Sequence, residues 1–191
     1  YKKAGITDLF TTEKITIAQS VKKLASLPLH HHPGDAFVYS EGLDVLGYFI
    51  EIVSGMSFAK FLKTRIFDPL GMKDTYFYLP DGKANRMVTV QMPKDEKWVK
   101  YVGLEGYYDA DYPIKGAKTF YSGGAGLSST AKDYATFLQM YLNGGELNGV
   151  RILSRTTIQS MMGNQVKDFM GGEAGAKHYG LAFGVVRQAG Q

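Results

Sequence analysis

The 191-residue sequence contains no cysteine. Disulfides, thiolate metal sites and cysteine nucleophiles are therefore excluded together. A chain of this length closes an apolar core without a covalent staple, so the absence leaves the redox compartment open. Long apolar runs are also missing: none approaches the roughly 18 residues of a membrane-crossing helix. No basic segment followed by an apolar stretch opens the sequence. Nor does charge of one sign accumulate. The 22 basic and 18 acidic residues leave a formal charge of +4, but the signs alternate along the chain, so no nucleic-acid partner is expected.

What is present, 45% hydrophobic and 21% charged residues, is the composition of one globular domain. Residues 1–5, Tyr-Lys-Lys-Ala-Gly, read as a linker translated from a cloning vector, with the natural domain over 6–191. Thr16-Ile17-Ala18-Gln19 is a capping-box pattern that opens an amphipathic helix over 17–27, stopped by Pro28. After the Pro33-Gly34 turn, 36–39 is a short extended approach. Ser40 then caps a helix carrying Leu43, Leu46, Ile50 and Val53 on one stripe, and Gly55 ends it. Ser57 caps the next helix, which Asp68-Pro69-Leu70-Gly71 terminates. The 81–121 stretch is irregular and aromatic, with Trp98, Tyr101, Tyr107, Tyr108, Tyr112 and Phe120. It reads as a functional loop or lid with room for a small hairpin, its aromatics suited to an apolar acyl or aryl pocket. A glycine-rich turn at 122–127 precedes a helix opened by Thr130 and Asp133, and Ser154 caps a last short helix. A single strand is expected over 179–186.

Three S-x-x-K spacings occur, at Ser20/Lys23, Ser57/Lys60 and Ser129/Lys132. One helical turn at this spacing can bring an amine against a serine hydroxyl, but three hits in one chain show how unspecific it is. Ser57 and Ser129 are better explained at helix starts, and Ser20 sits in mid-helix with Lys23 reaching water. His30-His31-His32 lacks a further ligand at a useful spacing, so a solvated turn is the simpler account and no metal site is assigned. The 122–127 glycines lack the G-K-[ST] ending of a phosphate loop. No cofactor is expected.

The segments Pro33-Gly34-Asp35-Ala36-Phe37-Val38-Tyr39-Ser40, Leu43-Asp44-Val45-Leu46-Gly47, Ser54-Gly55-Met56-Ser57-Phe58 and Asp68-Pro69-Leu70-Gly71-Met72-Lys73-Asp74-Thr75 follow one another in order. Gly123-Gly124-Ala125-Gly126-Leu127, Ser129-Thr130-Ala131 and Leu142-Asn143-Gly144-Gly145 continue the series. Together they resemble the β-lactamase-related serine hydrolases, which include class C-type β-lactamases, penicillin-binding D-alanyl-D-alanine peptidases and esterases of the same fold. The resemblance implies an α/β (α+β) fold of the β-lactamase/transpeptidase type, helices packed on an antiparallel sheet, with this chain mostly the helical lobe.

The resemblance also implies an acyl-serine mechanism on a small-molecule acyl substrate, in which Tyr39 matches the proton-shuttling tyrosine of the second motif. Glu41 stands where β-lactamases and peptidases carry asparagine. An ionised glutamate cannot donate a hydrogen bond, which favours an ester over a peptide or β-lactam substrate. The nucleophilic serine with its lysine, and the edge strand of the oxyanion hole, are expected outside these residues. The chain is thus expected to be the interior of an enzyme, inactive alone and prone to self-association or to pairing with a second chain. By the same resemblance the compartment is periplasmic or extracellular. A non-catalytic binding member of the fold remains the rival from another class.

Overall fold

The computed structural model describes residues 2–7, 9–36, 38–101, 109–165 and 178–185. Helix α1 (Ile17–Leu24) starts where its capping box requires: Thr16 Oγ1 accepts from the Gln19 N–H at 3.3 Å, and Gln19 Oε1 accepts from the Thr16 N–H at 2.9 Å. It stops short of the expected 27. Ser26 Oγ donates to the Lys23 carbonyl at 2.7 Å and draws the last turn out of helical register.

Helix α2 (Gly42–Ser54) begins two positions after Ser40, with Glu41 at the cap position and no side-chain capping bond; Gly55, at φ 65°, ends it in the left-handed region. Its apolar stripe faces mostly outward. Leu43, Leu46 and Val53 are more than half exposed, while Asp44 and Gly47 are buried. The inward face is the small one because backbone meets backbone there. A Cβ at Gly47 would lie 3.0 Å from Ile17 Cδ1 and 3.5 Å from Gly123 Cα, and one at Gly123 would lie 1.9 Å from the Leu43 carbonyl oxygen.

Ser57 caps α3 (Phe58–Leu62), its Oγ accepting from the Lys60 N–H at 3.3 Å. Asp68-Pro69-Leu70-Gly71 ends this helix as expected, with the stop at Gly71 and not at the proline. The rod runs on through a wide π turn, Lys63–Phe67, into α4 (Asp68–Leu70), and Gly71 at φ 70° stops it. The Asp68 N–H reaches back to the Lys63 carbonyl, one residue further than in an α-helix. That widening gives the proline ring the space it needs against the preceding turn. Phe67, Leu70 and Met72 from this rod pack on Met140 of α6 (Ala131–Leu142), with Phe137, Tyr141, Leu147 and Ile152 around them.

The described parts of the 81–121 stretch carry regular elements. A 3₁₀ turn, Asp81–Arg86, leads into an antiparallel hairpin of β1 (Gln91–Lys94) and β2 (Lys97–Lys100), and a short α5 (Tyr112–Lys115) follows. Asp95 and Glu96 make the two-residue turn at φ 48° and 61°, the geometry that matches strand twist. Of the aromatics expected to line a pocket, Tyr112 and Phe120 belong to the core, 1% and 0% exposed. Tyr78 packs its ring edge-on or tilted against Tyr112 and Tyr121, which meet Phe10 and Phe77 edge-on, and the Tyr78 hydroxyl donates to the Phe120 carbonyl at 2.7 Å. Burial, and for Tyr112 the bond to Tyr78 as well, pushes the phenols of Tyr78 and Tyr112 up, so these two hold their protons. Trp98 is exposed on the hairpin. Phe37, Tyr107 and Tyr108 lie outside the described residues.

β3 (Glu146–Leu147) and β4 (Val150–Arg151) form a second hairpin before α7 (Arg155–Met162), which Ser154 caps. The strand expected over 179–186 is instead two: β5 (His178–Tyr179) turns and pairs antiparallel with β6 (Gly184–Val185), and Val186 lies outside the described residues. The Gly180 N–H donates to the Phe183 carbonyl at 2.8 Å and folds the segment on itself. Gly180 also presses on the Met161 carbonyl, 2.1 Å from where a Cβ would be.

The Met140 contact with the α3–α4 rod joins the two halves of the core. Truncation in Met140→Ala is expected to cost about 2–5 kcal/mol in urea unfolding, whereas Leu142→Ala, at an 81% exposed position, should change stability by less than about 0.5 kcal/mol.

Candidate active site

Tyr39 lies on the irregular segment just before α2, 88% exposed, so no packing holds its ring in the core. Glu41 is partly buried two residues on. One turn further, Asp44 fixes this end of α2 to the glycine-rich turn. Its Oδ1 accepts from Ser122 Oγ at 2.6 Å, the Gly123 N–H at 2.7 Å and the Gly124 N–H at 3.2 Å. Ser122 Oγ in turn accepts from the N–H groups of Gly124 and Ala125 at 3.0 and 3.1 Å. Asp44 and Ser122 are 4% and 2% exposed, so these bonds form away from competing water. Gly126, at φ 95°, turns the chain out of the loop.

The three S-x-x-K serines are placed separately. Ser20 is buried on α1, and the Lys23 Nζ, expected to reach water, donates to the Gly5 carbonyl at 2.6 Å. Ser57 is the α3 cap described above. Ser129 Oγ lies 2.8 Å from Thr75 Oγ1, which donates to Asp133 Oδ2 at 3.0 Å; the same oxygen accepts from the Asp74 N–H at 2.7 Å. Thr130 Oγ1 caps α6 by accepting from the Asp133 N–H at 3.2 Å. His31 Nδ1 sits 2.8 Å from the His32 carbonyl oxygen, and no group of three or more His, Asp or Glu side chains among the described residues is arranged to hold a metal ion.

Asp74 anchors a second polar centre. Lys83 Nζ and Arg86 Nη1 lie 2.5 and 2.8 Å from its Oδ1, and Lys83 also donates to the Tyr76 hydroxyl at 2.8 Å. The Arg86 bond first and the Lys83 bond second hold the Asp74 carboxyl down at about 2.

The sequence profile of the beta-lactamase family matches residues 3–191. The chain belongs to the beta-lactamase family. An uncharacterized protein of Mycobacterium tuberculosis is 32% identical over 145 residues, 76% of this chain and 35% of that protein. A lovastatin esterase of Penicillium rubens is 30% identical over 159 residues, 83% of this chain and 37% of that protein. The chain thus spans little more than a third of these relatives. Among solved structures, EstCE1, a hydrolase with promiscuous acyltransferase activity, superposes with a TM-score of 0.78 over 99% of this chain and 51% of its own, at 24% identity. A penicillin-binding protein from Bacillus halodurans gives 0.67 over 100% and 52%, at 17% identity. These likenesses carry the fold: it is the β-lactamase/transpeptidase-like one. Among the described residues of this family member, the strands form separate two-stranded antiparallel ladders.

Asp44 had no assigned role in the sequence, although the signal was there. A carboxylate flanked by Leu43, Val45 and Leu46 on an apolar helix must find donors if it is buried, and Ser122-Gly123-Gly124 offers three without a side chain in the way.

Two outcomes follow from these contacts. In Asp44→Ala, three donors, the buried Ser122 hydroxyl among them, lose their acceptor, so a loss of about 3 kcal/mol is expected in chemical unfolding; Asp44→Asn keeps one oxygen and should lose less. The Asp74 group has a folded pKa below its unfolded value, so its contribution is full above about pH 4 and is lost as pH falls through about 2. Unfolding followed from pH 6 to pH 2 should therefore show a loss of stability in that window that is shallower in Asp74→Asn.

Proposed function

We propose that the protein to which these residues belong is a serine hydrolase of the beta-lactamase family acting on a carboxylic ester, with Tyr39 as its proton shuttle. The observation that carries the reading is the pairing of an exposed Tyr39 with the buried Asp44 clamp one turn later. The tyrosine is free of the core, while the start of the helix that follows it is fixed. In the reaction, a serine O–H bond breaks as its oxygen bonds to the acyl carbon, the proton entering the Tyr39 relay, and the ester C–O bond breaks. The departing alkoxide takes its proton through the Tyr39 hydroxyl, and the acyl-serine remains. Water then adds to the acyl carbon, releasing the carboxylic acid and restoring the serine. The serine and its lysine are supplied by parts of the protein outside these residues. The similarity to a lovastatin esterase supports an ester as substrate.

A peptidase reading is favoured by the putative D-alanyl-D-alanine carboxypeptidases of several Salmonella strains, each 27% identical over 177 residues. Glu41 argues against it. An ionised carboxylate accepts but does not donate, and it repels the carboxylate that such peptides and β-lactams carry.

With p-nitrophenyl acetate and the full-length protein, Tyr39→Phe should lower kcat about 100-fold or more with KM little changed, the usual weight of a lost acid–base group. Hydrolysis unaffected by that substitution would remove Tyr39 from the mechanism. Glu41→Asn should raise turnover of a chromogenic cephalosporin more than that of the neutral ester. Equal effects on both substrates would place the Glu41 carboxylate away from the reacting group.

A further inference from the structure

A cavity of about 560 Å³, within the size range of small-molecule sites, lies between the α3–α4 rod and the chain that returns from it. Neither Tyr39 nor Glu41 lines it, and the hydrolase reading gives it no role. Its origin is local. Gly71 at φ 70° reverses the chain, the Met72 N–H donates to the Phe67 carbonyl at 2.8 Å, and the Phe77 ring meets Phe58 with centroids 5.8 Å apart. Residues 72–77 therefore run back along the rod. Ala59, Lys63 and Phe67 line the cavity from the rod side, and the small Ala59 leaves the space open.

A second wall is aromatic. Tyr76, Tyr78 and Tyr121 line the cavity, and each hydroxyl is committed to a main-chain carbonyl: Tyr76 to Lys73 at 2.5 Å, Tyr78 to Phe120 at 2.7 Å and Tyr121 to Lys118 at 3.1 Å. The rings are thus held in place and offer a ligand their apolar faces and edges instead of free hydroxyl donors.

The charge left around these rings has one sign. Lys63, Lys73 and Lys118 line the cavity, and its one acidic lining residue, Asp68, is held by Lys63 at 2.5 Å. Among the described residues Lys73 and Lys118 have no carboxylate partner. Lys118 also stands at φ 56°, a left-handed conformation that costs any residue with a Cβ, and the Tyr121 bond to its carbonyl fixes it there. An ammonium needed at that place accounts for a lysine where its own backbone is unfavourable.

We propose that this cavity binds a small aromatic carboxylate, its ring body against Tyr76, Tyr78 and Tyr121 and its carboxylate on the Lys73 and Lys118 ammonium groups. A cation is repelled by the unpaired lysines, and a neutral aromatic forgoes the charge-assisted bonds. The site does not depend on the hydrolase reading.

The test is calorimetric titration of the full-length protein. The aromatic acid p-phenylbenzoate should bind at least about tenfold more tightly than p-phenylbenzamide, which lacks the charge, or acetate, which lacks the rings. Replacing both cations, in Lys73→Gln with Lys118→Gly, should weaken p-phenylbenzoate about tenfold or more; glycine suits the left-handed position and leaves the fold intact. Equal affinity for acid and amide, no binding of the acid, or an unchanged affinity in the folded double variant overturns the site. A second measurement needs no variant. The photoreactive acid p-benzoylbenzoate is irradiated with the unaltered protein and its attachment mapped by mass spectrometry. Labelling within 59–80 or 118–121 that excess p-phenylbenzoate suppresses supports the site, whereas labelling elsewhere, or none, overturns it.

Discussion

The arrangement around Tyr39 depends on one buried carboxylate. Asp44 Oδ1 gathers the Ser122 hydroxyl and the Gly123 and Gly124 N–H groups, joining residues 78 to 80 positions apart in sequence. Turns rich in glycine have many backbone conformations open to them, and ordering them costs entropy. Concentrating three donors on one oxygen offsets that cost and satisfies groups that would otherwise be buried unpaired. The glycines are needed in return, since a Cβ at Gly123 would collide with the Leu43 carbonyl. The clamp and the close approach therefore require each other.

From that contact the exposure of α2 follows. A helix that turns Asp44 and Gly47 inward must turn Leu43, Leu46 and Val53 outward, whatever their hydrophobicity. The periodicity of the segment was genuine, but periodicity does not say which face meets a partner when apolar residues occur on more than one side. Backbone contact through small residues decided it here. Away from α2, stability comes from ordinary packing: Met140 against the Phe67–Met72 rod, and the ring cluster of Tyr78, Tyr112 and Tyr121.

Aromatic content misleads about function for a related reason. Tyr112 and Phe120 read as pocket lining because they sit in a stretch with no periodicity, yet they are core residues. An apolar hollow lies instead at 21–45, walled by aliphatic side chains such as Val21, Leu24 and Val45. Composition records how much apolar surface a segment has, not which neighbour covers it.

Local chemistry determined the starts of the helices. Thr16, Ser57, Thr130 and Ser154 cap the helices they precede because a side-chain oxygen within reach of the first-turn N–H groups needs nothing from the rest of the chain. The long ordered series of family motifs likewise indicated the fold and singled out Tyr39. Tertiary structure alone decided the rest. It let the helix run through Pro69 by widening the preceding turn, folded 178–185 into a hairpin, and set Asp44 under the glycine turn. Each of these depends on a group distant in sequence or on a register of backbone bonds. Such contacts leave no mark in residue spacing, because their energy belongs to pairs that only the folded chain brings together.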